Sequence, residues 1–349
     1  MHRVRGFNFL LAAALVAMLA SFVNPALAAS YQLINLDSNQ QGQAKHVDPQ
    51  LINGWGLAFA PGNPWWIADE GSGFSTLYDG KGNKQTLVVK VPSASGQTNG
   101  TPTGIVYNGS QEFKVKKGTG EPWASVFIFA TLDGTISGWA PLTDMKNAII
   151  AVDNSATGAS YTGLAITSKS SGNFIYAADS VGDKVDVYDG NFAFVTSFSD
   201  PQIPKNFTPF GIQDINGQVY VAYAEIHSRA GGFIDIFSED GTFVKRFAQG
   251  KPLNQPWGFA VAPSNFGPLS KTLLITNNTP TGTINGFNLT TGKFVGTLKN
   301  SAGKPFVIDQ LWGIGFGGGS PANGQKNQLF FTAGPKNYVD GTFGLIQFK

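Results

Sequence analysis

Residues 208–249 read TPFGIQDINGQVYVAYAEIHSRAGGFIDIFSEDGTFVKRFAQ and contain four short apolar runs separated by turn residues. Apolar and polar side chains alternate within the runs, which is the pattern of a strand with one buried face. Asn216-Gly217 and Asp240-Gly241 supply tight turns of the kind that join antiparallel neighbours. The segment therefore predicts a sheet of four antiparallel strands.

The same segment recurs along the chain with a period near fifty residues. Its clearest mark is a glycine that follows one variable residue at the start of the first strand, as in Thr208-Pro209-Phe210-Gly211-Ile212. Equivalent glycines occupy positions 56, 104, 163, 211, 258 and 313. Repeats of this length are typical of propeller blades, and no segment shows a sustained helical period. We therefore predict an all-β fold, a six-bladed β-propeller of four-stranded blades.

The ring is expected to close through the N-terminal part of the chain. The sixth repeat has only three strands before Lys349, and Tyr31–Leu36 alternates in the way that the missing strand requires. Closure of this kind hides sheet edges that would otherwise promote aggregation. Two insertions, Gly109–Ala124 and Gly317–Asn327, follow first strands and are expected on the face opposite the channel mouth.

The first 28 residues have the features of a secretory signal peptide. Arg3 and Arg5 precede an apolar run from Phe7 to Ala20, and Ala26-Leu27-Ala28 gives a small-x-small cleavage pattern. A transmembrane anchor is the alternative, but the run is short for a ~20-residue span. We predict a signal peptide over 1–28, a single propeller domain over 29–349 with no membrane span, and export to the periplasm or the medium.

Composition excludes several classes of function. Removal of residues 1–28 would leave 22 basic and 22 acidic residues, so there is no basic surplus to bind nucleic acid. The chain has no cysteine, which rules out thiol catalysis, disulfides and cysteine-ligated zinc. We expect a monomer that binds a small-molecule, glycan or protein ligand.

Aromatic residues precede the inner-strand glycine in four of the six repeats, at Trp55, Phe210, Trp257 and Trp312. One interpretation is an aromatic mouth that stacks sugar rings or apolar ligands. The other is packing between neighbouring blades, with each glycine allowing close backbone approach.

Oxygen-bearing side chains recur at the end of the second strand, at Asp69, Asp179, Glu225 and Asn277. Together they provide ligands of the type that Ca²⁺ prefers, so they form a candidate calcium site. The alternative is that each one bonds the turn that follows its own strand.

The densest polar cluster is Glu225-Ile226-His227-Ser228-Arg229. His227 could act as a base oriented by Glu225, with Arg229 holding an anion, although a solvated loop has the same composition. Phosphate-loop and His-Glu-x-x-His motifs are absent.

The stretches GLAITSKSSGNFIYAADSVGDKVDVYDG (163–190) and FGIQDINGQVYVAYAE (210–225) resemble NHL-type propeller repeats. As a whole the chain resembles a family of uncharacterised exported bacterial propellers found beside PEP-CTERM sorting systems. The segments that carry this similarity are INLDSNQ (34–40), DPQLINGWGLAF (48–59), IADEGSG (67–73) and QPWGFAVAP (255–263). The resemblance implies a propeller fold and export, and it implies no activity. Six-bladed lactonases carry acidic or amide metal ligands where this chain has Trp55, Thr162, Phe210 and Trp257, so the sequence argues against a lactonase.

The sequence therefore favours recognition of a small molecule, glycan or protein at the channel mouth. A Ca²⁺-dependent hydrolase or lyase is one alternative, and a structural envelope or matrix protein is another.

Overall fold

The computed structural model describes residues 1–2, 30–95, 98–169, 172–225 and 231–349. These residues form six antiparallel blades arranged in a ring, which confirms the six-bladed all-β propeller. The predicted signal peptide lies outside the described residues apart from Met1 and His2. Within the described ranges, no helix is long and apolar enough to cross a membrane.

The strands follow one another in the order that the repeats predict. Two strands, β1 (Tyr31–Ser38) and β2 (His46–Val47), precede the first blade. Blade 1 contains β3 (Gly54–Ala58), β4 (Trp65–Asp69), β5 (Phe74–Tyr78) and β6 (Lys84–Lys90). Blade 2 contains β7 (Pro102–Tyr107), the hairpin β8 (Lys114–Val115) and β9 (Trp123–Ala124), then β10 (Phe127–Thr131), β11 (Thr135–Trp139) and β12 (Ile149–Asp153). Blade 3 contains β13 (Tyr161–Lys169), β14 (Gly172–Asp179), β15 (Lys184–Asp189) and β16 (Phe194–Phe198).

The remaining three blades complete the ring. Blade 4 contains β17 (Thr208–Ile215), β18 (Gln218–Ala224), β19 (Phe233–Ser238) and β20 (Phe243–Gln249). Blade 5 contains β21 (Pro256–Val261), β22 (Thr272–Asn277), β23 (Ile284–Asn288) and β24 (Phe294–Thr297). Blade 6 contains β25 (Leu311–Phe316), β26 (Gln328–Ala333) and β27 (Thr342–Phe348), with a short turn of helix, Pro335–Tyr338, before β27.

Each inner strand packs against the inner strand of the next blade, and the repeated glycine makes this possible. A Cβ atom on Gly258 would lie 2.6 Å from the carbonyl oxygen of Trp312, and one on Gly56 would lie 2.7 Å from that of Thr103. Similar or closer approaches occur at Gly104, Gly211 and Gly313, and a looser one, 3.1 Å to the carbonyl oxygen of Phe210, occurs at Gly163. Close backbone contact between neighbouring blades thus explains why glycine recurs at this position. This is the role that the blade-packing interpretation gave to the glycine.

β1 supplies the fourth strand of blade 6, as predicted from the sequence, and the two-residue β2 pairs parallel with its outer edge. It pairs antiparallel with β27, from Tyr31 opposite Phe348 to Ser38 opposite Thr342. The Tyr31 hydroxyl donates to the carbonyl of Phe266 in blade 5 at 2.5 Å and accepts from the amide of Leu269 at 3.1 Å. The closing strand is therefore attached to two blades.

Candidate functional site

The channel mouth lies where the inner strands begin, and four aromatic rings meet there. Trp55 stacks on Trp312 with ring centroids 3.6 Å apart, and Trp257 and Phe210 approach Trp55 edge-on at 6.0 and 6.1 Å. All four side chains are at most 8% exposed. The structure brings the four predicted residues together in one buried cluster.

Hydrogen bonds fix two of the three indole rings of this aromatic plug, which is formed by Trp55, Phe210, Trp257 and Trp312. Trp257 Nε1 donates to the carbonyl of Thr162 at 2.9 Å, and Trp312 Nε1 donates to Asn53 Oδ1 at 2.9 Å. The Nε1 of Trp55 is buried without a hydrogen-bond partner. Ligand contact by the four aromatic residues stays a prediction.

Three of the four predicted calcium ligands form hydrogen bonds close to the end of their own strand. Asp69 Oδ2 accepts from the amide and the hydroxyl of Thr76 at 3.0 and 2.7 Å. Asp179 Oδ1 accepts from the amides of Ser160 and Gly182, both at 3.0 Å. Asn277 Oδ1 accepts from the amide of Asn254 at 3.0 Å. The Asp179–Gly182 bond is the contact of the alternative interpretation, in which each side chain bonds the turn that follows its own strand. Asp69 instead bonds the next strand, and Asn277 bonds the segment before β21.

The candidate calcium site gains no further support from the arrangement of charges. Burial raises the pKa of Asp69 well above its usual value, against the hydrogen bonds from Thr76. Across the described ranges, no group of three or more His, Asp or Glu side chains is placed to hold a metal ion. Calcium binding therefore remains a prediction.

The predicted catalytic cluster is only partly described. Glu225 is buried at the end of the second strand of blade 4, where its carbonyl accepts from Gln255 Nε2 at 3.4 Å. His227 and Arg229 lie outside the described residues. Their role as a base and an anion-binding group stays a prediction.

Amide side chains surround the aromatic plug on the side formed by blades 5, 6 and 1, and sequence reasoning missed them. Asn53, Gln255 and Gln310 occupy the same repeat position and share a left-handed backbone, with φ of 47°, 49° and 50°. All three are buried, and Gln310 Oε1 has no hydrogen-bond partner. The available signal was an amide residue two places before the tryptophan in three repeats.

Glu70 and Tyr338 complete this side of the mouth. Asn53 Nδ2 donates to Glu70 Oε2 at 2.7 Å. Burial raises the pKa of Glu70 above its usual value, and the bond from Asn53 opposes that rise. Tyr338 packs on Trp312 with centroids 5.7 Å apart and donates its hydroxyl to Asn278 Oδ1 at 2.9 Å.

Tyr338 is held by an unusual backbone. Lys336, Asn337 and Tyr338 have φ of 54°, 57° and 71°, so three consecutive non-glycine residues are left-handed. Such residues cost about 1–3 kcal/mol each and cluster at functional sites and ligand clamps. The amide of Tyr338 donates to the carbonyl of Gly334 at 2.9 Å, which closes the turn.

With the fold and the mouth defined, comparison with known proteins shows a family. The chain is 33% identical over 334 residues to the uncharacterised protein R648 of Acanthamoeba polyphaga mimivirus, covering 91% of this chain and 80% of the relative. It is 30% identical over 346 residues to the uncharacterised protein L690 of the same virus, with 93% and 89% covered. The chain belongs to the same family as these uncharacterised viral proteins. No family model matches it.

Solved structures resemble the chain in fold alone. A Bacteroides thetaiotaomicron protein of unknown function has a TM-score of 0.56 at 11% identity, with 92% of this chain and 76% of that chain covered. A gluconolactonase from Xanthomonas campestris has a TM-score of 0.55 at 14% identity, with 86% and 87% covered. Virginiamycin B lyase from Staphylococcus aureus has a TM-score of 0.52 at 13% identity, with 91% and 99% covered. The resemblance to NHL repeats and to the PEP-CTERM-associated family stays a prediction.

Proposed function

We propose that the protein is a non-catalytic recognition propeller that binds a glycan or protein partner by surface contact at the channel mouth. The observation that carries the proposal is the set of amide side chains and Tyr338 beside the aromatic plug, because these polar groups lie at the end of the channel where propeller ligands are usually held. A partner at this end meets a surface instead of a deep pocket, and catalytic pockets are usually concave.

The amide residues and Tyr338 define where that partner would bind. Amide groups both donate and accept hydrogen bonds, and a tyrosine offers an aromatic face beside a hydroxyl. This combination suits a partner with many neutral polar groups. Lys336, the cation of the turn, already pairs with Asp340 at 2.7 Å.

The strain at residues 336–338 supports the same location. A left-handed run without glycine persists only when surrounding contacts favour one conformation strongly. Here the contacts are the Tyr338 ring on Trp312 and the Tyr338 hydroxyl on Asn278. Fixing an aromatic side chain in advance lowers the entropy lost on binding.

A glycan array tests the proposal with wild type, Tyr338→Ala and Tyr338→Phe. We expect at least one glycan class to bind wild type, Tyr338→Ala to lose most of the signal, and Tyr338→Phe to retain part of it. Phe194→Ala, which truncates an exposed aromatic ring on the outer strand of blade 3, is the matched control. Equal binding by Tyr338→Ala and wild type would reject this surface, and no wild-type signal would remove the glycan class.

We also propose that the protein is exported, on the strength of Arg3, Arg5 and the apolar run before Ala28. Mass spectrometry of protein recovered from cells and medium tests this. Export predicts a form that begins at Ala29, and retention of residues 1–28 in all recovered protein would contradict it.

A further inference from the structure

A second candidate binding site lies on blade 2, outside the channel mouth. The insertion that contains β8 and β9 and the loop that follows β11 enclose a pocket of about 370 Å³. Tyr107, Ser110, Gln111, Trp123, Pro141 and Leu142 contribute to its lining. Ligand pockets usually span ~300–1,000 Å³, so the volume suits a small molecule or one unit of a polymer. We call this the Trp123 pocket.

Trp123 is the exception among the seven tryptophans of the chain. The other six are each at most 8% exposed, whereas Trp123 is 46% exposed at the rim of the pocket. Leu142 on the facing loop is 69% exposed. Exposed apolar surface beside a pocket marks an interaction site more often than single scattered side chains do.

One wall of the pocket is fixed by the buried amide of Asn108. Its Nδ2 donates to the carbonyls of Glu112 and Ser125 at 3.0 and 2.8 Å, and its Oδ1 accepts from the amide of Ser110 at 3.0 Å. Phe113, fully buried beneath the hairpin, contacts Phe192 of blade 3 with ring centroids 5.2 Å apart. The insertion is therefore anchored to two blades.

The facing wall is fixed to the hairpin as well. Thr143 Oγ1 donates to the carbonyl of Val115 at 3.2 Å, and Lys117 Nζ pairs with Asp144 Oδ2 at 2.6 Å. Both walls are thus held in place before any ligand arrives, which reduces the ordering cost of binding. The Lys117–Asp144 pair also neutralises two charges beside the pocket.

The lining is uncharged, which decides the chemistry of the ligand. Trp123 offers a flat aromatic face, while Gln111 and Tyr107 offer an amide and a hydroxyl. A sugar ring matches this set, because one face carries C–H groups and its edge carries hydroxyl groups. A charged ligand would lose its hydration without gaining a partner of opposite charge.

We infer that the Trp123 pocket binds a sugar ring of a neutral glycan, stacked on the Trp123 indole. The inference is independent of the mouth: it uses a different blade, different residues and an insertion that the ring does not need for closure.

Affinity electrophoresis in native gels tests it with three soluble neutral polysaccharides as probes: xyloglucan, galactomannan and dextran. We expect at least one of them to retard wild type, with at least a tenfold weaker affinity for Trp123→Ala and a partial loss for Trp123→Phe. Phe194→Ala, which removes an aromatic ring that is 58% exposed elsewhere, should migrate as wild type does. Tyr338→Ala should keep the Trp123-dependent part of the retardation, which separates this site from the mouth.

Three outcomes would overturn the inference. One is unretarded wild type in all three gels, and another is equal retardation of Trp123→Ala and wild type. The third is Trp123-dependent binding of a decaproline peptide without polysaccharide binding, because proline-rich helices also dock on tryptophan-lined grooves. Near-ultraviolet circular dichroism of each variant would confirm that the propeller is still folded.

Discussion

Replacement of Gly258 by alanine should open the contact between blades 5 and 6. The added Cβ would lie 2.6 Å from the Trp312 carbonyl oxygen, 3.1 Å from the Thr276 hydroxyl and 3.2 Å from the Gly313 Cα. The Thr276 hydroxyl already donates to that carbonyl and accepts from the Gly258 amide, both at 2.8 Å. The Cβ therefore intrudes on a connected set of buried bonds rather than on a flexible side chain.

The size of the effect follows from the displacement required. Backbone must move by several tenths of an ångström, and overpacking of this kind costs about 1–3 kcal/mol. Weakening the two Thr276 bonds adds about 1 kcal/mol, so we expect the free energy of unfolding to fall by about 3 kcal/mol. With an unfolding entropy of ~2.1 cal/mol/K per residue over roughly 320 residues, that is a loss of about 4–5 °C in Tm.

Thermal unfolding followed by near-ultraviolet circular dichroism suits the measurement, because Trp55 and Trp312 stack at the affected level. In Gly163→Ala the added Cβ would lie 3.1 Å from the nearest oxygen, so this variant should lower Tm less than Gly258→Ala does. It keeps the test available if Gly258→Ala does not fold. Gly109→Ala, whose nearest atom lies at 3.4 Å, is the control and should melt within about 1 °C of wild type. Equal melting of all three variants would refute the explanation of the repeated glycine.

Three further outcomes are expected. Burial, together with the nearby Asp48 charge and against that of Lys84, raises the pKa of Asp37 to about 7. The free energy of unfolding should therefore fall by up to about 4 kcal/mol as the pH rises from about 4 to 7. Asp37→Asn should reduce this pH dependence in denaturant titrations at several pH values, and an unchanged dependence would assign it to other groups. Asp179→Ala should lower Tm by the same amount in calcium and in chelator, since its Oδ1 bonds two amides; a calcium-dependent difference in scanning calorimetry would instead support the metal site. Tyr31→Phe should lower the free energy of unfolding by about 1–3 kcal/mol in chemical denaturation, because the carbonyl of Phe266 loses its donor. An unaffected midpoint would show that β1 is held by strand pairing alone.

The fold was predictable from local patterns because each blade repeats the same few constraints. Alternation within runs of five to eight residues fixed the strands, and the inner-strand glycine marked every blade. Tyr31–Leu36 could be assigned to blade 6 because one blade lacked a strand and one strand lacked a blade. Such inferences need only the sequence period and the rule that sheet edges pair.

The candidate site was less predictable because it depends on distances across the ring. The sequence placed Trp55 and Trp312 at one level but could not show whether their faces meet each other or a ligand. Lys336 and Tyr338 carry no mark of a left-handed backbone, since these residue types rarely adopt it. Trp123 would be expected in the core on residue type alone, and only the structure shows it exposed.

The closing pair of strands favours one order of assembly. Gln32 and Gln347 face each other across β1 and β27 and are 315 residues apart in the chain. Bringing such distant segments together costs about 3 kcal/mol more in loop-closure entropy than closing a ten-residue hairpin. Blades formed from neighbouring hairpins can therefore accumulate first, and closure comes last, when β27 becomes available. We expect transient opening to begin between β1 and β27, where hydrogen exchange of the Gln32 and Gln347 amides would reveal it.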